Sequence, residues 1–207
     1  MSFDLALRKR VGETDIALTL NVGAGLTVLH GPSGIGKSSV LNMVAGLLRP
    51  DAGHVRIGDV LLFDAATGVD LPPERRRAGY VFQDSRLFPH RRVRDNLLYG
   101  YRFAPDQSRW LALDEAVEFL GIAHLLARWP RTLSGGEARR VSIGRALLAG
   151  ARFLLMDEPL SFLDAARREE ILLLIERIRD DLRLPILYVT HDPQEARRLA
   201  TTMVEMG

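Results

Sequence analysis

Leu26-Thr27-Val28-Leu29-His30-Gly31-Pro32-Ser33-Gly34-Ile35-Gly36-Lys37-Ser38 is the stretch that decides how this chain folds. Leu26–Leu29 is a short apolar run before a Gly/Pro/Ser turn, which reads as a buried strand. Gly31–Ser38 fits the pattern G-x-x-x-x-G-K-[ST]. Its glycines let the backbone fold tightly, with several N–H groups turned toward phosphate oxygens. Ser38–Leu48 reads as a helix, with Val40, Leu41, Val44, Ala45 and Leu48 on one face and Pro50 and Gly53 ending it. The positive N-terminal end of that helix reinforces the loop. Lys37 supplies a compact cation for β- and γ-phosphates, and Ser38 offers a hydroxyl to Mg²⁺. A Gly-rich turn could match by chance. The preceding strand and following helix are the context the mechanism requires.

Outward from this loop the pattern is that of an α/β protein. Phe3–Leu7 and Ile16–Leu20 alternate like strands, and Val55–Ile57 and Val60–Phe63 read as two more. From about Arg91 to Gly150 strand signals give way to helical spacing, as in Leu111–Leu120 and Val141–Leu148. We read 91–150 as a helical subdomain inserted in an α/β core of residues 1–90 and 151–207. Phe153–Met156 is again a buried strand. Ala165–Leu182 reads as an amphipathic helix with Ile171, Leu174, Ile175, Ile178 and Leu182 inward. Ile186–Val189 reads as a strand, Pro193–Ala200 as a helix and Met203–Met206 as the start of a last strand. Strands alternating with helices argue for a mainly parallel sheet.

Composition limits the function classes. The 207 residues are 47% hydrophobic and 26% charged, with 28 basic against 26 acidic side chains and a net charge of +2. This suits one globular domain and gives no reason to expect a nucleic-acid partner. The basic runs Arg75–Arg77, His90–Arg92 and Arg139–Arg140 are of a kind more often solvated than ligand-binding. With no cysteine, disulfides and Cys-ligated metals are excluded, which fits a reducing cytoplasm. The N-terminus has an early acid and no long apolar run, so it does not read as a signal peptide. No stretch approaches the roughly 20 apolar residues of a membrane helix. A membrane role would therefore run through a partner.

Two further stretches carry chemistry. Phe153–Met156 ends in Asp157-Glu158, and ligands of open α/β sheets bind at the C-terminal ends of strands. Asp157 can hold the Mg²⁺ shell, and Glu158 is placed to polarise a water for attack on a γ-phosphate. Alone, the pair would better suit a solvated turn or a helix cap; the phosphate loop upstream reverses that. In Leu133-Ser134-Gly135-Gly136-Glu137, Ser134 begins a helix and two glycines expose backbone N–H groups, which makes a second anion site. The same residues also read as a plain capping box with Glu137 at N3. Two anion sites in one chain suggest a dimer in which each copy clamps the other's nucleotide.

These motifs resemble those of the nucleotide-binding subunit of ATP-binding cassette (ABC) transporters, almost end to end. The resemblance implies a P-loop NTPase fold with a mainly parallel sheet, an N-terminal antiparallel β subdomain and an inserted helical subdomain. It implies ATP and Mg²⁺ as ligands. Nucleotide contacts fall on Gly31, Pro32, Ser33, Gly34, Ile35, Gly36, Lys37, Ser38 and Ser39 of the Walker A stretch. Phe153–Glu158 is similar to Walker B, with Asp157 on the metal and Glu158 catalytic; Lys37 is also catalytic. Ser134, Gly135 and Gly136 lie in the family's signature sequence. Gln83 falls at the Q-loop glutamine that contacts Mg²⁺ and senses the membrane partner. Asp164 closes the D-loop Ser161-Phe162-Leu163-Asp164, and His191 matches the switch histidine on the γ-phosphate.

Pro72–Arg77, Gly79–Asp84, Arg86–His90, Val93–Leu97 and Thr190–Asp192 with Glu195-Ala196 are similar to ATPase subunits of molybdate importers. The cargo rests on this likeness. The implied partners are a second copy forming a nucleotide-sandwich dimer, an integral membrane permease subunit gripped near Gln83–Leu98 and, indirectly, a periplasmic or extracellular binding protein. The implied location is peripheral, on the cytoplasmic face of the cell membrane. Departures are few. Where the family often stacks adenine on an aromatic, Arg8–Val11 offers Arg10 or Val11. Glu137 stands where Gln is usual, and Phe162 where a smaller D-loop residue is usual. Gly207 falls at the edge of the ATPase core, without the β-rich regulatory domain usual in molybdate importer ATPases. A soluble cassette of DNA repair or translation would carry coiled-coil arms or paired cassettes, and neither is present. A non-hydrolysing nucleotide-gated module is a third class, separated by an ATPase assay. No Asn-Lys-x-Asp motif supports a GTPase.

Overall fold

Strand β1 (Phe3–Val11) runs antiparallel to β2 (Thr14–Val22), paired from Phe3 with Val22 to Val11 with Thr14. After β3 (Leu26–His30) and helix α1 (Lys37–Ala45) come β4 (Ala52–Ile57), β5 (Val60–Asp64) and the short β6 (Val69–Asp70). They complete an antiparallel sheet of order β2-β1-β4-β5-β6. A computed structural model describes residues 2–206. Within it follow helix α2 (Pro73–Arg76), strand β7 (Ala78–Val81) and the helices α3 (Val93–Tyr101), α4 (Leu113–Leu120) and α5 (Gly135–Leu148). The chain ends with β8 (Phe153–Asp157), α6 (Ala165–Arg177), β9 (Ile186–Thr190), α7 (Pro193–Leu199) and β10 (Thr202–Glu205). Strands β10-β3-β9-β8-β7 form a second sheet, parallel at every junction.

The parallel sheet is covered on both faces, which is why its strands read as unbroken apolar runs. Leu29, Phe153, Leu155, Leu187 and Val189 face α1 and the antiparallel sheet. Leu26, Val28, Leu154, Met156, Ile186 and Tyr188 face the helices α3 to α7. The interleaving side chains of Phe3, Leu5, Leu7, Ile16, Leu18 and Leu20 seal the antiparallel sheet onto the first of these cores.

Several expectations shift. Helix α1 ends at Gly46, at φ 80°, rather than at Pro50 or Gly53. A left-handed residue there closes the helix, and glycine adopts it without strain. Helix α6 passes at Ile178–Leu182 into a π-helical turn ending on Arg183 at φ 52°, so one continuous α-helix to Leu182 is not what forms. The basic runs are not simply solvated. Arg76 is 2% and Arg139 3% exposed; the Arg139 guanidinium donates to main-chain carbonyls and that of Arg76 to carbonyls and Asp70.

Candidate nucleotide site

The loop between β3 and α1 owes its shape to local chemistry. Gly36 takes φ 103°, and a Cβ there would lie 2.7 Å from Ile16. Only glycine fits both demands. Lys37 is 5% exposed, and its ammonium donates to the carbonyls of Gly31 and Pro32, each at 2.7 Å. The cation therefore sits inside the loop, whose open depression is lined by Ser33, Gly34, Gly36, Lys37, Ser38, Ser39 and Glu158.

The parallel sheet brings the acids to this loop. Ser38 Oγ donates to Asp157 Oδ1 at 2.8 Å across 119 residues of sequence. Burial pushes the Asp157 carboxyl up, against the pull of the Ser38 hydrogen bond, and the Glu158 charge pushes the same way as burial. A half-buried carboxylate in such a place is stabilised by a cation. Glu158 takes φ 42°, a left-handed conformation that is strained for a non-glycine residue and frequent at functional turns. Its N–H donates to Val189 O at 3.0 Å. Its Oε2 accepts from Ser161 Oγ at 3.0 Å, and its Oε1 lies 3.1 Å from His191 Nδ1. His191 follows β9 and keeps a ring more than half exposed. One end of the sheet thus gathers a cation, a hydroxyl–carboxylate pair and a carboxylate–imidazole pair around a phosphate-shaped loop.

Residues 14–161 match the ABC transporter family. This chain belongs to that family. A relative from Paramagnetospirillum magneticum, named molybdenum import ATP-binding protein ModC, is 54% identical over 203 residues, 98% of this chain and 56% of that protein. One of the same name from Rhodospirillum rubrum is 51% identical over 97% of this chain and 54% of its own length. The chain spans just over half the length of these relatives. An ATP-binding cassette solved as a dimer in a post-hydrolysis state, bound to ADP and Pi, superposes at TM-score 0.76. It is 25% identical and the match covers 99% of this chain and 93% of that one.

The remaining ABC motifs lie around this centre without all entering it. Ser134 caps α5 by accepting from the Glu137 N–H at 3.3 Å, and Glu137 Oε2 accepts from the Ser134 N–H at 2.6 Å. The capping box is real. That N–H bond, ahead of Arg128 at 3.1 Å, holds the Glu137 carboxyl below its usual range. Gly135 backs onto Leu163 and Gly136 onto Arg167; none of Ser134, Gly135 and Gly136 lines the depression at the phosphate loop. Asp164 caps α6, accepting from the N–H and guanidinium of Arg167 at 3.0 and 2.8 Å. Phe162 is 89% exposed beside it. At the end of β1, Arg10 Nε donates to Gly12 O at 3.4 Å and Val11 stays exposed.

Gln83 is exposed; among the described residues its side chain forms no hydrogen bond to Ser38 or Asp157. Its main chain is fixed instead. Arg139 of α5 donates to the carbonyls of Phe82 and of Gln83, the second at 2.6 Å. Arg145 donates to the carbonyls of Ser85 and Arg86 at 3.0 and 2.6 Å. The sequence places Ser161 in the D-loop but gives no sign of its bond to Glu158 or of these anchors. The Arg139-Arg140 pair carries no local signal for a partner 56 residues away.

Proposed function

We propose that the chain is the ATP-binding and ATP-hydrolysing subunit of an ABC importer for molybdate or a related oxyanion. The observation that carries the chemistry is the meeting of Glu158 and His191 at the mouth of the phosphate loop. Lys37 exchanges the Gly31 and Pro32 carbonyls for β- and γ-phosphate oxygens. Glu158 takes the proton of a water whose oxygen attacks the γ-phosphorus; the bond to the β-oxygen breaks, and ADP and phosphate leave. His191, held through Nδ1, turns its other ring nitrogen to the γ-phosphate. Ser38 Oγ and the Asp157 carboxylate are adjoining hard oxygens, a donor set that fits Mg²⁺ held mainly by phosphates and water. When bound, the ion would offset the charge developing on the phosphate oxygens.

Because Ser134–Gly136 lies outside the depression, the phosphate loop is completed by the signature residues of a second copy. A permease helix docks beside Gln83, where Phe88 and Tyr99 pack at 4.5 Å, Arg91 stacks on Tyr99 and Phe103 stands 76% exposed. No helix among the described residues is long and apolar enough to cross a membrane; the permease would hold the chain at the cytoplasmic face. A periplasmic or extracellular binding protein acts one step further away. The names of the relatives support the oxyanion cargo.

Replacing Glu158 by Gln keeps the shape and removes the base. Turnover of ATP should fall at least about 100-fold, while Mg²⁺·ATP still binds and drives dimer formation in size-exclusion chromatography with light scattering. Near-normal turnover in Glu158→Gln would remove the carboxylate from the mechanism.

A further inference from the structure

We infer that Glu195 is a positioning residue whose buried carboxylate holds the turn carrying His191 against Glu158. The inference rests on the reading of Glu158 and His191 as the hydrolytic pair. Glu195 lies in the first turn of α7 and is 6% exposed. Its Oε2 accepts from Thr190 Oγ1 at 2.8 Å and from the Tyr188 hydroxyl at 3.1 Å. Thr190 Oγ1 in turn accepts from the Asp192 N–H at 3.0 Å. Arg168 Nη1 is 2.9 Å from Asp192 Oδ2 and 3.7 Å from Glu195 Oε1. The residues on both sides of His191 are thus tied to one carboxylate, directly or through a single atom. Among the described residues, the polar contact of the His191 ring with the centre is Glu158 Oε1.

Helix capping does not explain this carboxylate. Asp192 Oδ1 already accepts from the N–H groups of Gln194 and Glu195 at 2.8 and 3.4 Å. Burying a charged group among apolar neighbours costs free energy that an apolar residue of similar volume would avoid. Tyr188 is fully buried, and burial together with the Glu195 charge pushes its phenol well up, which keeps the hydroxyl a donor. A fully satisfied polar network in a low-dielectric core fixes geometry. Here the geometry it fixes is the His191–Glu158 distance. The network also lies in the field of Arg139, whose guanidinium holds the Gln83 carbonyl.

The test uses the full chain with Mg²⁺·ATP. Glu195→Gln keeps the shape, and Thr190→Val removes the bridging hydroxyl without touching Glu195. Each should lower kcat about tenfold, within the cost of misaligning a catalytic group, with KM for ATP held within about twofold. Thr190→Ser should restore the rate. In a His191→Ala background, Glu195→Gln should cost nothing further, because the residue acts through the ring already removed. An additive loss, or normal kcat in both single variants, overturns the inference. A second readout does not depend on turnover. Of the five histidine ring signals in the NMR spectrum of the nucleotide-free chain, that of His191 should move in Glu195→Gln and Glu158→Gln alike. The others should stay in place. A His191 signal unmoved in a folded Glu195→Gln protein overturns the inference even if ATP is not hydrolysed. Full activity of His191→Ala would instead count against the hydrolytic pair itself.

Discussion

Asp157 shows what the site demands of a single side chain. Burial raises its pKa and a single Ser38 hydrogen bond opposes the rise. A carboxyl raised in the folded state binds its proton more tightly there than in the unfolded chain. The contribution of this group to stability is therefore greatest at acid pH and declines as pH rises from the ordinary value of 3.8 through the raised one. Asp157→Asn keeps the acceptor for Ser38 and removes the charge. It should stabilise the metal-free chain at pH 7 by about 1 kcal/mol, roughly 2–4 °C in Tm for a chain this long. The gain should shrink as pH falls, because the raised pKa leaves more of the native carboxyl protonated, while Mg²⁺-dependent turnover is lost. A thermal melt at neutral and at acid pH checks it, and an equal gain at both would mean the charge is not the cause. This residue was legible in the sequence, as were Lys37, Ser38, Glu158 and His191, because each sits at a fixed step from a strand or a glycine. Ser161 and Glu195 stand in motifs the sequence shows, but their hydrogen bonds were not legible, because these depend on which turns the sheet brings together.

Among elements, the strands of the parallel sheet were the easiest to read, being short apolar runs bounded by turn residues. Strand β7 lacked that signal. Its four residues Ala78-Gly79-Tyr80-Val81 hold one glycine and no apolar run, and only pairing with β8 makes them a strand. The end of α1 was misread for a related reason. Gly46 closes the helix, and Arg76 of α2 donates to the Met43 and Val44 carbonyls at 2.8 and 3.1 Å, to Leu71 O at 2.7 Å and to Asp70 at 2.9 Å. One buried guanidinium thus joins the Gly46 N–H at the Met43 carbonyl and takes up the Val44 carbonyl at the helix C-terminus. Removing it strands the Val44 carbonyl and leaves Asp70 to Arg49, 3.5 Å away, and to solvent. Arg76→Ala should cost about 3 kcal/mol in urea unfolding, with Arg76→Lys intermediate because an ammonium cannot fork to so many acceptors. A loss below about 1 kcal/mol would mean that water satisfies the helix end and the cap is dispensable.

The whole molecule separates the start of α1 from the start of α5. The phosphate loop belongs to the core between the two sheets, and Ser134–Gly136 to the helical layer on the other face of the parallel sheet. A twofold pairing of identical chains can bring one start of each copy opposite the other start of its partner. Complementation between damaged chains tests this arrangement. Lys37→Ala spoils the phosphate loop, Ser134→Arg blocks the signature, and each homodimer then has no intact composite site. In an equal mixture half the dimers are mixed, and each mixed dimer holds one site made of an intact loop and an intact signature. Activity should therefore return to about a quarter of the native rate if sites act independently and chains exchange freely. It should rise with total chain concentration, as dimer population does. A mixture as inactive as its two parents would instead point to a site completed within one chain.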